Sequence, residues 1–81
     1  MDIVEYTLFL VKSIAKEPDM VSVKEIGSDD EVINLEVLVK ESDMGVVIGR
    51  AGKTATALRT MVQAHSYLHD KKKVKLNIES F

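Results

Sequence analysis

Val47-Ile48-Gly49-Arg50-Ala51-Gly52-Lys53 decides how this 81-residue chain reads. Two β-branched apolar residues lead into two glycines that frame a basic tip. An alanine-rich helical stretch follows, with Lys53 at its start. Gly49 and Gly52 reach positive φ without penalty and carry no Cβ, so bare backbone there can approach a ligand closely. Arg50 between them donates hydrogen bonds suited to a phosphate. Ala51 is small enough not to block the approach. A helix beginning at Gly52 or Lys53 would turn its unpaired N–H groups and positive dipole end toward the same anion, with the Lys53 charge beside them. Of Val47 and Ile48, one is expected to anchor the turn to the core and the other to line an apolar groove.

Outward from this turn the chain reads as helix, two strands, two helices and a strand. Asp2 with Glu5 forms a candidate capping box. Ile3, Thr7, Leu10 and Ile14, with Val4, Leu8, Val11 and Ala15, then make a wide apolar stripe at helical spacing. Lys16 is expected in the last turn, and Pro18 prevents continuation. Met20 to Ile26 alternates as a strand, and Gly27-Ser28-Asp29-Asp30 is a turn cluster. Val32 to Lys40 is the clearest strand. Ile33, Leu35, Val37 and Val39 point one way, and Asn34, Glu36 and Lys40 the other. The two strands should pair as an antiparallel hairpin.

Ser42 or Asp43 is placed to cap a short helix ending at Val47 or Ile48. A longer helix runs from about Lys53 to Leu68, with Ala55, Leu58, Val62 and His65 near one face. Lys71-Lys72-Lys73 leads to a last strand in which Val74, Leu76 and Ile78 alternate with Lys75, Asn77 and Glu79. No repeat, linker or low-complexity tract interrupts this order. Residues 1–81 therefore read as one domain of α+β class, with three strands covered by helices on one face.

Composition narrows the function classes. Apolar residues make up 46% of the chain, too many for disorder. There is no cysteine, which removes disulfide frameworks and thiolate metal sites and agrees with a reducing cytosol. No apolar run approaches the length of a membrane span, and the N-terminus lacks the basic and apolar regions of a signal peptide. The net charge of -2 conceals an asymmetry. Residues 1–48 hold four lysines against eleven acids, whereas residues 49–75 hold seven Lys and Arg against Asp70 alone. Such polarisation gives one region a potential that attracts polyanions.

The motif Val47-Ile48-Gly49-Arg50-Ala51-Gly52 resembles the V-I-G-x-x-G core of KH domains. With an extra helix and strand before that core, the order αββααβ resembles the type II, bacterial arrangement. The Pro18-Asp19 junction, the Asp43-Met44-Gly45 lead-in and the Thr54-Ala55-Thr56-Ala57-Leu58-Arg59 helix are similar to the small bacterial single-KH proteins called KhpA. The resemblance spans essentially the whole chain. It implies binding of about four nucleotides of single-stranded RNA by the G-x-x-G loop. It also implies a cytoplasmic location, and self-association or pairing with a second KH protein of the Jag (KhpB) type. The binding residues it marks are Val47, Ile48, Gly49, Arg50, Ala51, Gly52, Lys53 and Thr54. Bases would lie in a groove between the two central helices and the second strand, with Leu38 or Lys40 at its far edge. Lys71, Lys72, Lys73 and Lys75 either extend the phosphate track or only decorate a turn. No residue identifiably reads a 2′-hydroxyl, so RNA and single-stranded DNA are not separated.

Other readings fit less well. Gly52-Lys53-Thr54 looks like the end of a Walker A loop, but that motif needs glycine at position 47, where valine stands. A helix-turn-helix reader conflicts with three strong strand patterns. RRM and OB modes need aromatic side chains on strands. Here Tyr6 and Phe9 lie on the first helix, Tyr67 on the long helix and Phe81 at the terminus, and they read as packing residues. His65 and His69 have an i, i+4 spacing without a third ligand, so neither a metal site nor a cofactor is expected. No nucleophile–base or paired-carboxylate arrangement points to an enzyme. A KH-shaped protein-interaction subunit, with RNA contact supplied mainly by its partner, is the alternative of a different class.

Overall fold

A computed structural model describes residues 1–81. Helix α1 (Ile3–Ile14) opens with the full capping box: the Asp2 carboxylate accepts from the Glu5 N–H at 2.8 Å, and Glu5 accepts from the Asp2 N–H at 3.2 Å. These bonds satisfy two of the donors that a helix start leaves unpaired. Ile3, Thr7 and Val11 face the core. The Thr7 hydroxyl is fully buried and donates to the Ile3 carbonyl at 2.8 Å, so it carries no unpaired polar cost. The helix ends at Ile14, earlier than its apolar pattern suggested, which places Lys12 rather than Lys16 in the last turn. Pro18–Met20 form a single 3-10 turn, which shortens the first strand to β1 (Ser22–Glu25).

Strand β2 (Val32–Val39) pairs antiparallel with β1, Val23 opposite Val37. The connecting turn is closed by its own side chains. The Asp29 carboxylate accepts from the Glu31 and Val32 N–H groups, each at 2.8 Å, and Ser28 Oγ accepts from the Asn34 N–H. Strand β2 is central: β3 (Lys73–Ser80) runs parallel on its other side, Leu35 opposite Leu76, in the order β1-β2-β3. A parallel pair needs a long crossover. Here it consists of a 3-10 turn Glu41–Asp43, helix α2 (Met44–Ile48), the glycine loop, and helix α3 (Lys53–His69).

The inward face of β2 carries Ile33, Leu35, Val37 and Val39, the last three wholly buried. Val11, Val47, Leu58, Val62 and Leu76 pack with them into one cluster beneath the helices. Each such side chain contributes about 1.5–3 kcal/mol by leaving water. The opposite face of β2 is only half-buried, so the helices cover one side of the sheet as the alternation required.

Two expectations are corrected here. Ser66, not His65, takes the buried position on α3. The half-buried His65 ring instead stacks on Tyr6, centroids 4.5 Å apart. Asp43 occupies the cap position before α2 but makes no capping bond. Its carboxylate is fully buried and accepts from the Lys16 and Glu17 N–H groups, each at 2.9 Å. It ties the unravelled end of α1 to the start of the crossover, and so sets where the glycine loop begins.

Candidate nucleic-acid interface

The loop is a compact turn with an unusual backbone. Gly49 N–H still bonds back to Gly45, closing α2, and the chain then swings to φ 77°, ψ 172° at Gly49. That combination is essentially restricted to glycine. Arg50–Gly52 follow as one 3-10 turn, closed by the Gly52 N–H on the Gly49 carbonyl at 3.1 Å. Ala51 at φ 55° and Gly52 at φ 74° are both left-handed. Gly49 is further constrained by its neighbour. A Cβ built there would lie 2.2 Å from Thr54 Oγ1 and 2.8 Å from the Thr54 backbone nitrogen. At Gly52 the same atom would meet nothing within 4 Å. The first glycine is thus required by packing as well as by conformation, the second by conformation alone.

This turn exposes Arg50, Ala51 and Lys53 together. Helix α3 starts at Lys53 with Gly52 as its cap, and no side-chain oxygen caps its first turn. Its N-terminal N–H groups and positive dipole end therefore lie next in the chain to two exposed cations, Arg50 and Lys53. Val47 is the anchor, wholly buried, while Ile48 is half-buried at the loop's edge. Thr54 holds Gly49 in place by direct packing. Lys40 is exposed just after β2, separated from the loop along the chain by the 3-10 turn and α2.

A cleft of about 500 Å³ opens one turn beyond the loop and runs between α3 and β3. Thr56, Thr60, Gln63 and Ala64 line it from the helix, with Arg59 and Tyr67 along its length and Val74 from the strand. Several of these side chains also close the sheet edge. Arg59 Nε donates to the Leu76 carbonyl at 3.2 Å. The Gln63 amide accepts from the Val74 N–H at 2.9 Å and donates to the Lys72 carbonyl at 3.0 Å. Ser66 Oγ donates to that same carbonyl at 2.6 Å, so the lysine turn is pinned against α3. The lysines then divide. Lys72 Nζ reaches across to the Asp29 carbonyl at 3.2 Å, while Lys71 and Lys73 are exposed.

The groove expected from the sequence lies against the second strand, and this cleft lies against the last one. Arg59, Gln63 and Tyr67 line it and were not singled out as site residues. Their i, i+4, i+8 spacing on one face of α3 was the available signal. The aromatics also divide: Tyr6 packs, whereas Phe9, Tyr67 and Phe81 are each more than half exposed.

A three-stranded mixed sheet with helices on one face and a G-x-x-G turn between the two crossover helices is a KH fold of the type II arrangement. Comparison with solved structures agrees. The Era protein of Aquifex aeolicus, bound to GDP and aluminium fluoride, superposes with a TM-score of 0.75 over 98% of this chain, at 19% identity. Era in complex with MgGDPNP and nucleotides 1506-1542 of 16S ribosomal RNA gives 0.73 over 96%. This chain spans 30% and 29% of those two chains. Residues 4–78 match the family model described as KhpA/KhpB, KH domain, and the chain belongs to that family. The RNA-binding protein KhpA of Caldanaerobacter subterraneus subsp. tengcongensis is 45% identical over 73 residues, 85% of this chain and 95% of that protein. The RNA-binding protein KhpA of Streptococcus pneumoniae serotype 4 is 35% identical over 80 residues, 98% of each.

Proposed function

We propose that residues 1–81 act as one KH module that binds single-stranded RNA in the cytoplasm, without catalysis. The carrying observation is the loop. Gly49, Ala51 and Gly52 at positive φ present bare backbone at an uncapped helix start, between the exposed Arg50 and Lys53. Phosphates sit against the 49–54 turn, and the bases run from it into the α3–β3 cleft. Val47 and Thr54 support the loop from behind, and Ile48 borders the bases. Lys40 contributes only long-range charge. The names of the KhpA relatives, with the family match, support RNA as the ligand.

A module that holds about four nucleotides binds weakly alone. Two modules joined raise affinity through effective concentration. A homodimer, or a complex with a Jag (KhpB)-type KH protein, follows from that reading. The exposed Met61 and Leu68, one heptad apart on α3, support a protein-contacting surface as well. Sedimentation of the chain alone and with such a partner tests the pairing.

The test of the loop is the double variant Arg50→Asp with Ala51→Asp. Aspartate tolerates the left-handed conformation at position 51, so the fold should be retained and circular dichroism should match the wild type. Two carboxylates at the tip would repel phosphate. Fluorescence anisotropy with short RNA, and with DNA of the same sequence, should show binding by the wild type and loss in the variant. Equal binding by both folded proteins would refute the loop reading. Absence of binding by the wild type would favour the protein-interaction alternative.

A further inference from the structure

The chain has two tyrosines, and their rings are used differently. The Tyr6 ring is stacked on His65, which in turn lies against His69. Tyr67 has no aromatic partner in the chain; it is 60% exposed and forms part of the cleft wall. A tyrosine with no core to fill and a face open to a cleft has a flat apolar surface available to a planar ligand.

Its position relates it to the loop. Tyr67 stands fifteen residues beyond Gly52 on the same helix, about 22 Å along the axis. The cleft occupies the stretch between them: Thr56 begins it one turn past the loop, and Tyr67 ends it. Midway, Arg59 is held by its Nε on the Leu76 carbonyl, which leaves the terminal guanidinium donors for a ligand. Ala64, one turn before Tyr67, is too small to cover the ring. Beyond Tyr67 the chain turns through Lys71 and Lys73, both exposed, with the turn fixed by Gln63 and Ser66 on the Lys72 carbonyl. An aromatic face followed along the chain by exposed cations offers the pairing by which single-stranded nucleic acid is held, base on ring and phosphate on ammonium.

We infer that Tyr67 is a stacking platform for a base of the bound strand, at the opposite end of the cleft from the glycine loop. This rests on the RNA-binding reading above and adds a second point of attachment to it. The strand is then held by its phosphates at residues 49–54 and by a stacked base at Tyr67, with Arg59 hydrogen-bonding to what lies between. Stacking on a ring accepts every base, so the platform adds affinity and length dependence rather than sequence preference.

The chain contains no tryptophan, so Tyr67→Trp introduces a single indole at the platform. Its emission is followed while single-stranded RNAs of increasing length are titrated, with binding measured independently by anisotropy of a labelled strand. The expected result is indole quenching that saturates with the same midpoint as the anisotropy. Tyr67→Phe should bind as the wild type does, and Tyr67→Ala about 5- to 150-fold more weakly, the range for loss of one stacked base. Tyr67→Leu should fall with Tyr67→Ala, because it keeps apolar area but loses the ring. If RNA binds by anisotropy, is lost in the Arg50→Asp, Ala51→Asp variant, and yet leaves the indole unchanged and Tyr67→Ala unaffected, the platform is overturned while the loop reading stands. If no RNA binds the wild type, both fall together.

Discussion

Gly49→Ala is the sharpest probe of why the loop has its shape. At φ 77° and ψ 172° an L-residue sits in a region open almost only to glycine, at a cost of about 1–3 kcal/mol. The added methyl would also lie 2.2 Å from Thr54 Oγ1, 2.7 Å from Thr54 Cβ and 2.8 Å from the Thr54 backbone nitrogen. The hydroxyl could rotate away. The backbone nitrogen belongs to the first turn of α3 and retreats only if the helix moves, and overpacking of that kind costs about 1–3 kcal/mol. Together the loss should be about 2–6 kcal/mol. A domain of this length has a total stability of about 4–12 kcal/mol, so the variant should be close to unfolding. Gly52→Ala meets no atom within 4 Å and bears only the left-handed penalty, about 1–2 kcal/mol. Ala51→Gly relieves a left-handed alanine but frees the unfolded chain, and should change little. Urea unfolding followed by circular dichroism measures all three. Adding Thr54→Ala to Gly49→Ala removes the hydroxyl contact and leaves the other two, so recovery should be partial. Equal midpoints for Gly49→Ala and Gly52→Ala would refute the packing argument, since the two differ chiefly in what the new methyl touches.

Asp43→Asn should destabilise the fold by about 1–3 kcal/mol, because one carboxylate oxygen becomes an amide donor facing the N–H of Lys16 or Glu17. Asp43→Ala should cost more, and thermal unfolding should show a fall in Tm of roughly 4–8 °C per kcal/mol. Asp29 gives a pH signature. Its carboxyl lies below the ordinary value of 3.8, chiefly because it accepts the Glu31 and then the Val32 N–H groups, with smaller help from Lys72 and Lys75. A lowered folded pKa means that its contribution is present above about pH 4 and is lost as pH falls through the folded value. Asp29→Asn should therefore lower Tm at pH 6 and flatten the acid limb below about pH 4. Parallel acid limbs for wild type and variant would remove the turn from the account.

Much of the molecule is legible because it depends on near neighbours in the chain. The Asp2–Glu5 box, the alternation of Ile33 to Val39, the hairpin turn at Gly27–Asp30 and the glycine pair at 49 and 52 each express a local rule of dihedral angle, period or spacing. The candidate loop was readable for the same reason, since its chemistry lies within seven consecutive residues. Asp43 was misread by that same rule. An acid just before a short helix is a good cap, but two N–H groups left over at the end of α1, more than 25 residues earlier, compete for the same carboxylate and win because it is buried among them.

The sequence by itself determined the elements, their order, the inward face of each strand and the backbone freedom of the loop, all of which follow from interactions within a few residues. Tertiary structure alone decided that β3 lies parallel beside β2, that its edge is closed by Arg59 and Gln63, and that a cleft runs between α3 and β3 from Thr56 to an uncovered Tyr67. Those features depend on which groups a long crossover brings together, and hydrophobic period carries no record of which strand edge a helix will cover.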